Sequence, residues 1–183
     1  MHTAQEIADL DRKMLAALKE KRLRGVAKDL PAQFDQILEK YENRIVKSIN
    51  EALPGGEDAI NFFGLVGANN LAKANRVSRV VSTQLGSAWE EMADKGHFAL
   101  SPESQFGTRI QGVDIVILDG DKLRHTQIKT QKNTLTGSQV GRSVSELKAH
   151  SHPLFVAAFG VAAWTFPPYS SCGIERIAGA DFW

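Results

Sequence analysis

The segment Gly112–Thr130 reads GVDIVILDGDKLRHTQIKT. The apolar, β-branched run that begins near Thr108 and ends at Leu118 has the composition of a strand, and Leu123–Thr130 has that of a second. Asp119-Gly120-Asp121 between them carries turn chemistry, so the pair is predicted to be a hairpin. Asp114 stands among apolar strand formers, where an unpaired charge is costly. Its partner is a cation or an arginine such as Arg109. On the returning strand Gln127 and Lys129 are two residues apart, so both face one side of the sheet and Ile128 faces the other. The hairpin brings Asp114 towards that pair. Asp114 and the Gln127 amide oxygen are then candidate ligands for Mg²⁺, with Mn²⁺ as a substitute, because a hard divalent cation prefers oxygen donors. Lys129 is placed to orient or deprotonate an attacking water, or is simply an exposed strand residue.

On the N-terminal side of this hairpin the apolar residues recur at helical spacing. Ile7, Leu10, Met14, Leu15 and Leu18 predict a helix over residues 4 to about 28. Phe34, Ile37, Leu38, Tyr41, Ile45 and Ile49 predict another from about 31 to 52, stopped by Pro54-Gly55-Gly56. Residues 57–72 read as weakly helical. Val77, Val81, Leu85, Ala88 and Met92 form the stripe of a further helix from Asn75 to Asp94, which Gly96 ends. Beyond the hairpin, residues 139–150 are a candidate helix. Pro153–Trp164 is nearly all apolar, the pattern of a strand covered on both faces. Helices followed by strand, strand, helix and strand predict an α/β or α+β domain. Its small mixed sheet is flanked by helices and preceded by a helical region over residues 1–74.

The chain has 183 residues, 43% hydrophobic and 23% charged, with a net charge of +1. That is the size and composition of one folding unit, and it excludes a wholly disordered, collagen-like or coiled-coil chain. No apolar run reaches the roughly 18–20 residues that a membrane-spanning helix needs. The N-terminal residues lack the basic-then-apolar pattern of a secretion signal, and the single cysteine, Cys172, forms no internal disulfide. A cytoplasmic location is expected. Lys122, Arg124, Lys129, Lys132, Arg142 and Lys148 make the second half locally basic, as do Arg12, Lys13, Lys19, Lys21, Arg22, Arg24 and Lys28 near the start. Either region suits phosphates. The chain stops at Ala180-Asp181-Phe182-Trp183, two aromatics with no polar tail, so a longer parent chain is one expectation.

An Asp at a strand start, a turn, and then Glu/Asp/Gln-x-Lys on the partner strand resembles the PD-(D/E)xK nucleases. The sequence is similar to them in both halves, in G-V-D-I-V-I and in T-Q-I-K. Val113 replaces the Pro of the motif, and Gln127 stands where most members have Glu, as it does in the Mrr-like branch of restriction enzymes. Ile128-Lys129-Thr130-Gln131-Lys132-Asn133-Thr134 is also similar to the I-K-S-G-x-N-T of some type II restriction endonucleases. Gly86-Ser87-Ala88-Trp89-Glu90 matches the family's G-x-x-F-E, with Trp for Phe. The resemblance spans roughly residues 80–165. It implies a restriction-endonuclease-like core over residues 75–183, catalytic residues Asp114, Gln127, Lys129 and Glu90, and metal ligands Asp114, Gln127 and Glu90. Helical periodicity alone favours Glu91 over Glu90.

The resemblance further implies a metal-dependent endonuclease acting on double-stranded DNA as a homodimer, with the first two helices as dimer contacts or DNA grip. Asn133, Thr134, Ser138 and Arg142 lead into a helix and are candidate contacts to the DNA backbone. A junction-resolving or repair nuclease would share this core, and a non-catalytic DNA-binding module in which Gln127 marks a decayed site is the rival from another class. His150 and His152 lack a third ligand for a metal. His125 is expected at the surface, and Trp89, Trp164, Phe155 and Phe159 in the core. Thr136–Ser143 lacks the Gly-Lys-Ser/Thr ending of a nucleotide-binding loop.

Overall fold

The computed structural model describes residues 4–52 and 67–183. It is a mixed α+β fold built on a five-stranded sheet. Three long helices come first: α1 (Ala4–Arg24), α2 (Leu30–Ala52) and α3 (Asn69–Lys95). They are followed by β1 (Ala99–Leu100), the short α4 (Pro102–Phe106), β2 (Ile115–Asp119), β3 (Lys122–Gln131), α5 (Gly137–Lys148), β4 (Leu154–Phe159), α6 (Tyr169–Cys172) and β5 (Glu175–Ala178). The sheet order is β1-β2-β3-β4-β5. The first three strands are antiparallel, and β4 and β5 join in parallel through crossovers. The predicted stop Pro54-Gly55-Gly56 and most of the ambiguous stretch 57–72 lie outside the described residues.

The hairpin forms as its sequence predicts. Asp119 pairs with Lys122, leaving Gly120-Asp121 as the turn. Gly120 has φ 60° and Asp121 does not share the positive value, which is the requirement of a type II′ turn for glycine at its first central position. The first strand is shorter than its composition suggests. Only Ile115–Asp119 pairs as β2, and the residues before it fold into a tight loop closed by the bridge of Ile110 with Val113. Asp114 therefore stands at the join of loop and strand.

Alternation along the strands sends side chains to two helical layers. Ile115, Ile117, Ile128, Leu154 and Val156 meet α2 and α3 through Ile37, Tyr41, Trp89 and Met92. On the opposite face Leu100, Val116 and Leu118 meet Met14 and Leu18 of α1, while Phe155 meets Leu147 of α5. Met14 and Leu18 are fully buried. At roughly 1.5–3 kcal/mol for each buried apolar side chain, α1 is thus a wall of the core. The Lys21 ammonium reinforces it by donating to the carbonyls of Asp94 and Ala99. The expected division at residue 74 falls inside α3, whose outer face is polar and whose inner face covers the sheet.

Three expectations are corrected by the structure. The apolar run after Pro153 stays a strand only to Phe159, because β3 and β5 offer no pairing beyond Gln131 and Ala178. Val161 is consequently exposed, Trp164 half-buried and Phe159 44% exposed. His125, expected at the surface, is 1% exposed in a central strand. Strands β1 and β5 and the short helices α4 and α6 are additional to the predicted elements. No helix among the described residues is long and apolar enough to cross a membrane.

Candidate active site

The loop before β2 positions Asp114 by bonds to both neighbours of Gln127. The Asp114 amide donates to the Thr126 carbonyl (2.9 Å), and Asp114 Oδ2 accepts from the Ile128 amide (2.9 Å). The carboxylate thus stands over the strand at the level of Gln127. Lys129, on the same face, brings its Nζ to 3.5 Å from Asp114 Oδ2. Arg109 does not compete for Asp114, because its guanidinium is held by Glu103 (2.8 Å).

Gln127 is 7% exposed, and its Oε1 is buried with no hydrogen-bond partner among the described residues. An unpaired buried amide oxygen costs about 1–3 kcal/mol, so its retention calls for an explanation. The oxygen belongs to a residue lining a cleft of about 570 Å³, together with Glu90, Asp114, Arg142 and Glu146. This cleft lies between α3, the loop before β2, and α5.

Glu90 reaches the cleft from α3 and is the group most altered by it. Burial first, and the negative charge of Asp114 second, push its carboxyl up to about 7, against a smaller opposing effect of Lys129. Glu91 turns away to α2, where Lys40 Nζ (2.6 Å) and the Tyr41 hydroxyl (3.0 Å) donate to it. Burial, hydrogen bonding to Glu91 and the Glu91 charge push the Tyr41 phenol up to about 12. Of the two adjacent carboxylates, Glu90 is therefore the one in electrostatic contact with Asp114 and Lys129.

Glu146 is a cleft residue that the sequence pattern did not single out. It accepts from Arg142 Nε (2.7 Å) and Gln111 Nε2 (3.1 Å), and these two bonds hold its carboxyl below the usual range. Gly112 makes room for it: with φ 75°, a Cβ at this position would lie 2.6 Å from Glu146 Cβ. The available signal was the i,i+4 spacing of Arg142 and Glu146 on one helix. Among the expected backbone contacts, only Arg142 lines the cleft. Asn133 and Ser138 are exposed nearby, and the Thr134 hydroxyl closes a turn onto the Gln131 carbonyl (2.9 Å).

Among the described residues no three His, Cys, Asp or Glu side chains gather as a metal site. The cleft offers two carboxylates, Asp114 and Glu90, and the neutral amide oxygen of Gln127. That all-oxygen set suits a hard divalent cation. The unpaired Gln127 oxygen is the specific mark of fit, since a cation would satisfy it. No family model matches the chain, and no curated protein matches its sequence.

Proposed function

We propose that this chain is a divalent-metal-dependent endonuclease of the PD-(D/E)xK type that hydrolyses phosphodiester bonds of double-stranded DNA, as type II restriction enzymes do. The observation that carries the reading is the convergence of Asp114, Gln127 and Lys129 on one face of a hairpin, with Glu90 brought to them by α3. Asp114, Glu90 and the Gln127 oxygen would hold Mg²⁺ or Mn²⁺, which when bound neutralises phosphate charge and makes water more acidic. The protein's own contribution is positioning. Asp114 is fixed by the Ile128 amide, and Lys129 Nζ is a donor beside it, able to hold the attacking water or a phosphate oxygen in line. Glu146 keeps the Arg142 guanidinium at the cleft rim, where it can accept a second phosphate.

The sheet order fits this reading, since an antiparallel hairpin followed by a helix and a parallel strand brings α5 beside the site. Paired cuts in a two-fold duplex are most simply made by a two-fold dimer, so the proposal includes a homodimer, to be checked by light scattering. The test of activity is incubation with plasmid and mixed genomic DNA in Mg²⁺ and in EDTA. Discrete cutting in Mg²⁺ that EDTA abolishes supports a restriction-type enzyme. Preference for branched over linear DNA would instead indicate a junction-resolving or repair nuclease.

A second reading draws on Gln127 itself. Replacing a carboxylate by an amide removes one negative charge from the cation's neighbourhood and weakens its hold. A chain that binds DNA equally with and without Mg²⁺, and never cleaves it, would be a binding module with a decayed site.

A further inference from the structure

Helix α5 ends in two polar side chains, Glu146 in its last turn and His150 just past its end, and both reach the same neighbour. Glu146 Oε1 accepts from the Gln111 side-chain amide at 3.1 Å, and His150 Nε2 is 2.8 Å from the Gln111 carbonyl oxygen. A carbonyl only accepts, so His150 carries its hydrogen on Nε2 and the ring donates. Gln111 is thus gripped by side chain and backbone together, in the loop that leads directly to Asp114.

The grip falls on the softest point of that loop. The Val113 amide donates to the Ile110 carbonyl (3.1 Å), closing a four-residue turn with Gln111 and Gly112 at its centre. Gly112 has φ 75°, and Gln111 before it does not share the positive value, which is the type II pattern. Types I and II differ chiefly in the peptide between the two central residues, which is turned over by about 150°. That peptide carries the Gln111 oxygen, so a flip would take it away from His150. Gly112 also permits the close approach, since a Cβ there would lie 2.6 Å from Glu146 Cβ.

His150 is itself braced. Its ring stacks on His125 of β3 at 5.0 Å, with planes 20° from parallel, and the carbonyl of the next residue, Ser151, lies 3.0 Å from His125 Nδ1. A central strand thus holds the donor, and the donor holds the turn. The turn lines the cleft through Gln111 and Gly112, with Asp114 beyond it, and α5 lines it through Arg142 and Glu146.

Resting on the nuclease reading, we infer that His150 and Glu146 are positioning residues that lock the turn Ile110–Val113 to α5. The lock fixes the separation across the cleft between Asp114, beside the proposed cation, and Arg142, the proposed second phosphate contact. Neither residue need touch the substrate to matter, because a misplacement of about 1 Å among reacting groups can cost about 10²-fold in rate.

Two measurements separate the lock from the chemistry, both on the full chain and below the melting temperature of every variant. The first is amide hydrogen exchange by NMR without metal, at Val113 and Asp114, with the amides of β4 as reference. His150→Ala and Glu146→Ala should each speed exchange at Val113 and Asp114 by about two- to tenfold, the effect of one lost hydrogen bond on local opening. The β4 amides should not change. His150→Gln keeps a donor at a similar reach and should return exchange to the wild-type rate. The second is steady-state cleavage of plasmid DNA in Mg²⁺. His150→Ala should lower kcat by about 10–10²-fold with KM within about twofold of wild type, and His150→Gln should recover most of the loss.

Unchanged exchange in both alanine variants would overturn the lock, and wild-type cleavage would show that the nuclease reading survives it. Faster exchange with unchanged kcat would make these contacts packing alone and overturn the positioning role. Equal acceleration of the β4 amides would also overturn it, because the loss would then be one of overall stability. Should wild type not cleave DNA, the nuclease reading falls and the positioning role with it.

Discussion

His125 and Gln127 lie two residues apart on the same face of β3, both polar and both buried, yet their surroundings are opposite. Both ring nitrogens of His125 have a polar partner. Asp11 Oδ1 is 3.1 Å from its Nε2, the Ser151 carbonyl is 3.0 Å from its Nδ1, and the His150 ring stacks on it at 5.0 Å. Gln127 has an oxygen with no hydrogen-bond donor among the described residues. The first arrangement ties α1 to the sheet and is complete as it stands. The second leaves an acceptor open, which in the proposed function a cation would fill. Burial of a polar group alone does not point to a site; burial without a partner, in a wall of a cleft, calls for an explanation and makes Gln127 a candidate.

The largest effect expected from this contrast is on catalysis. Lys129→Ala should lower cleavage of plasmid DNA by about 10²–10⁴-fold, the usual range for losing a positioned acid–base group, with DNA binding in EDTA little changed. Gel quantitation of linear product and a parallel binding titration would show both. Loss of binding to the same degree as cleavage would make Lys129 a grip and not a catalytic group.

On stability the order reverses. His125→Leu should destabilise by about 1–3 kcal/mol, because it strands Asp11 and the Ser151 carbonyl. Gln127→Met removes an oxygen that lacks a partner among the described residues and keeps the side chain's length, so it should be close to neutral, within about 1 kcal/mol. Urea unfolding of both variants tests the pair. Equal destabilisation would mean that Gln127 is held by interactions comparable to those of His125.

A subtler effect is a pH dependence located in Glu90. Its folded carboxyl titrates at about 7 against an ordinary 4.5, so between those values the native state holds a proton that the unfolded chain has released. The stability from this group is fully present below pH 4.5 and is lost as pH rises through 7. The change should be on the order of 1–3 kcal/mol, and Glu90→Gln should flatten it. Stability curves of wild type and Glu90→Gln that run parallel from pH 4.5 to 7.5 would contradict this assignment.

How much of this was legible in the sequence follows from the range of the forces involved. The hairpin and the shared face of Asp114, Gln127 and Lys129 depend on period-two alternation and a local turn, and they are found as predicted. Glu90 over Glu91 needed the partner helix: Lys40 and Tyr41, about 50 residues earlier, take Glu91 away. Helix α1 showed its apolar stripe in the sequence but not the surface that covers it. The surface reading of His125 missed Asp11, which lies 114 residues away in the chain. Glu146 required the approach of Gly112 to α5, a contact that no spacing announces.

The proposed function rests on the unpaired Gln127 oxygen forming a cation site with Asp114 and Glu90. Calorimetric titration of Mn²⁺ into wild type, Asp114→Ala and Gln127→Glu at pH 7.5 tests it most directly. One site is expected in wild type, none in Asp114→Ala, and tighter binding in Gln127→Glu, where a formal charge replaces a dipole beside the ion. Absence of binding in wild type and Gln127→Glu alike, or equal binding in all three proteins, would contradict it.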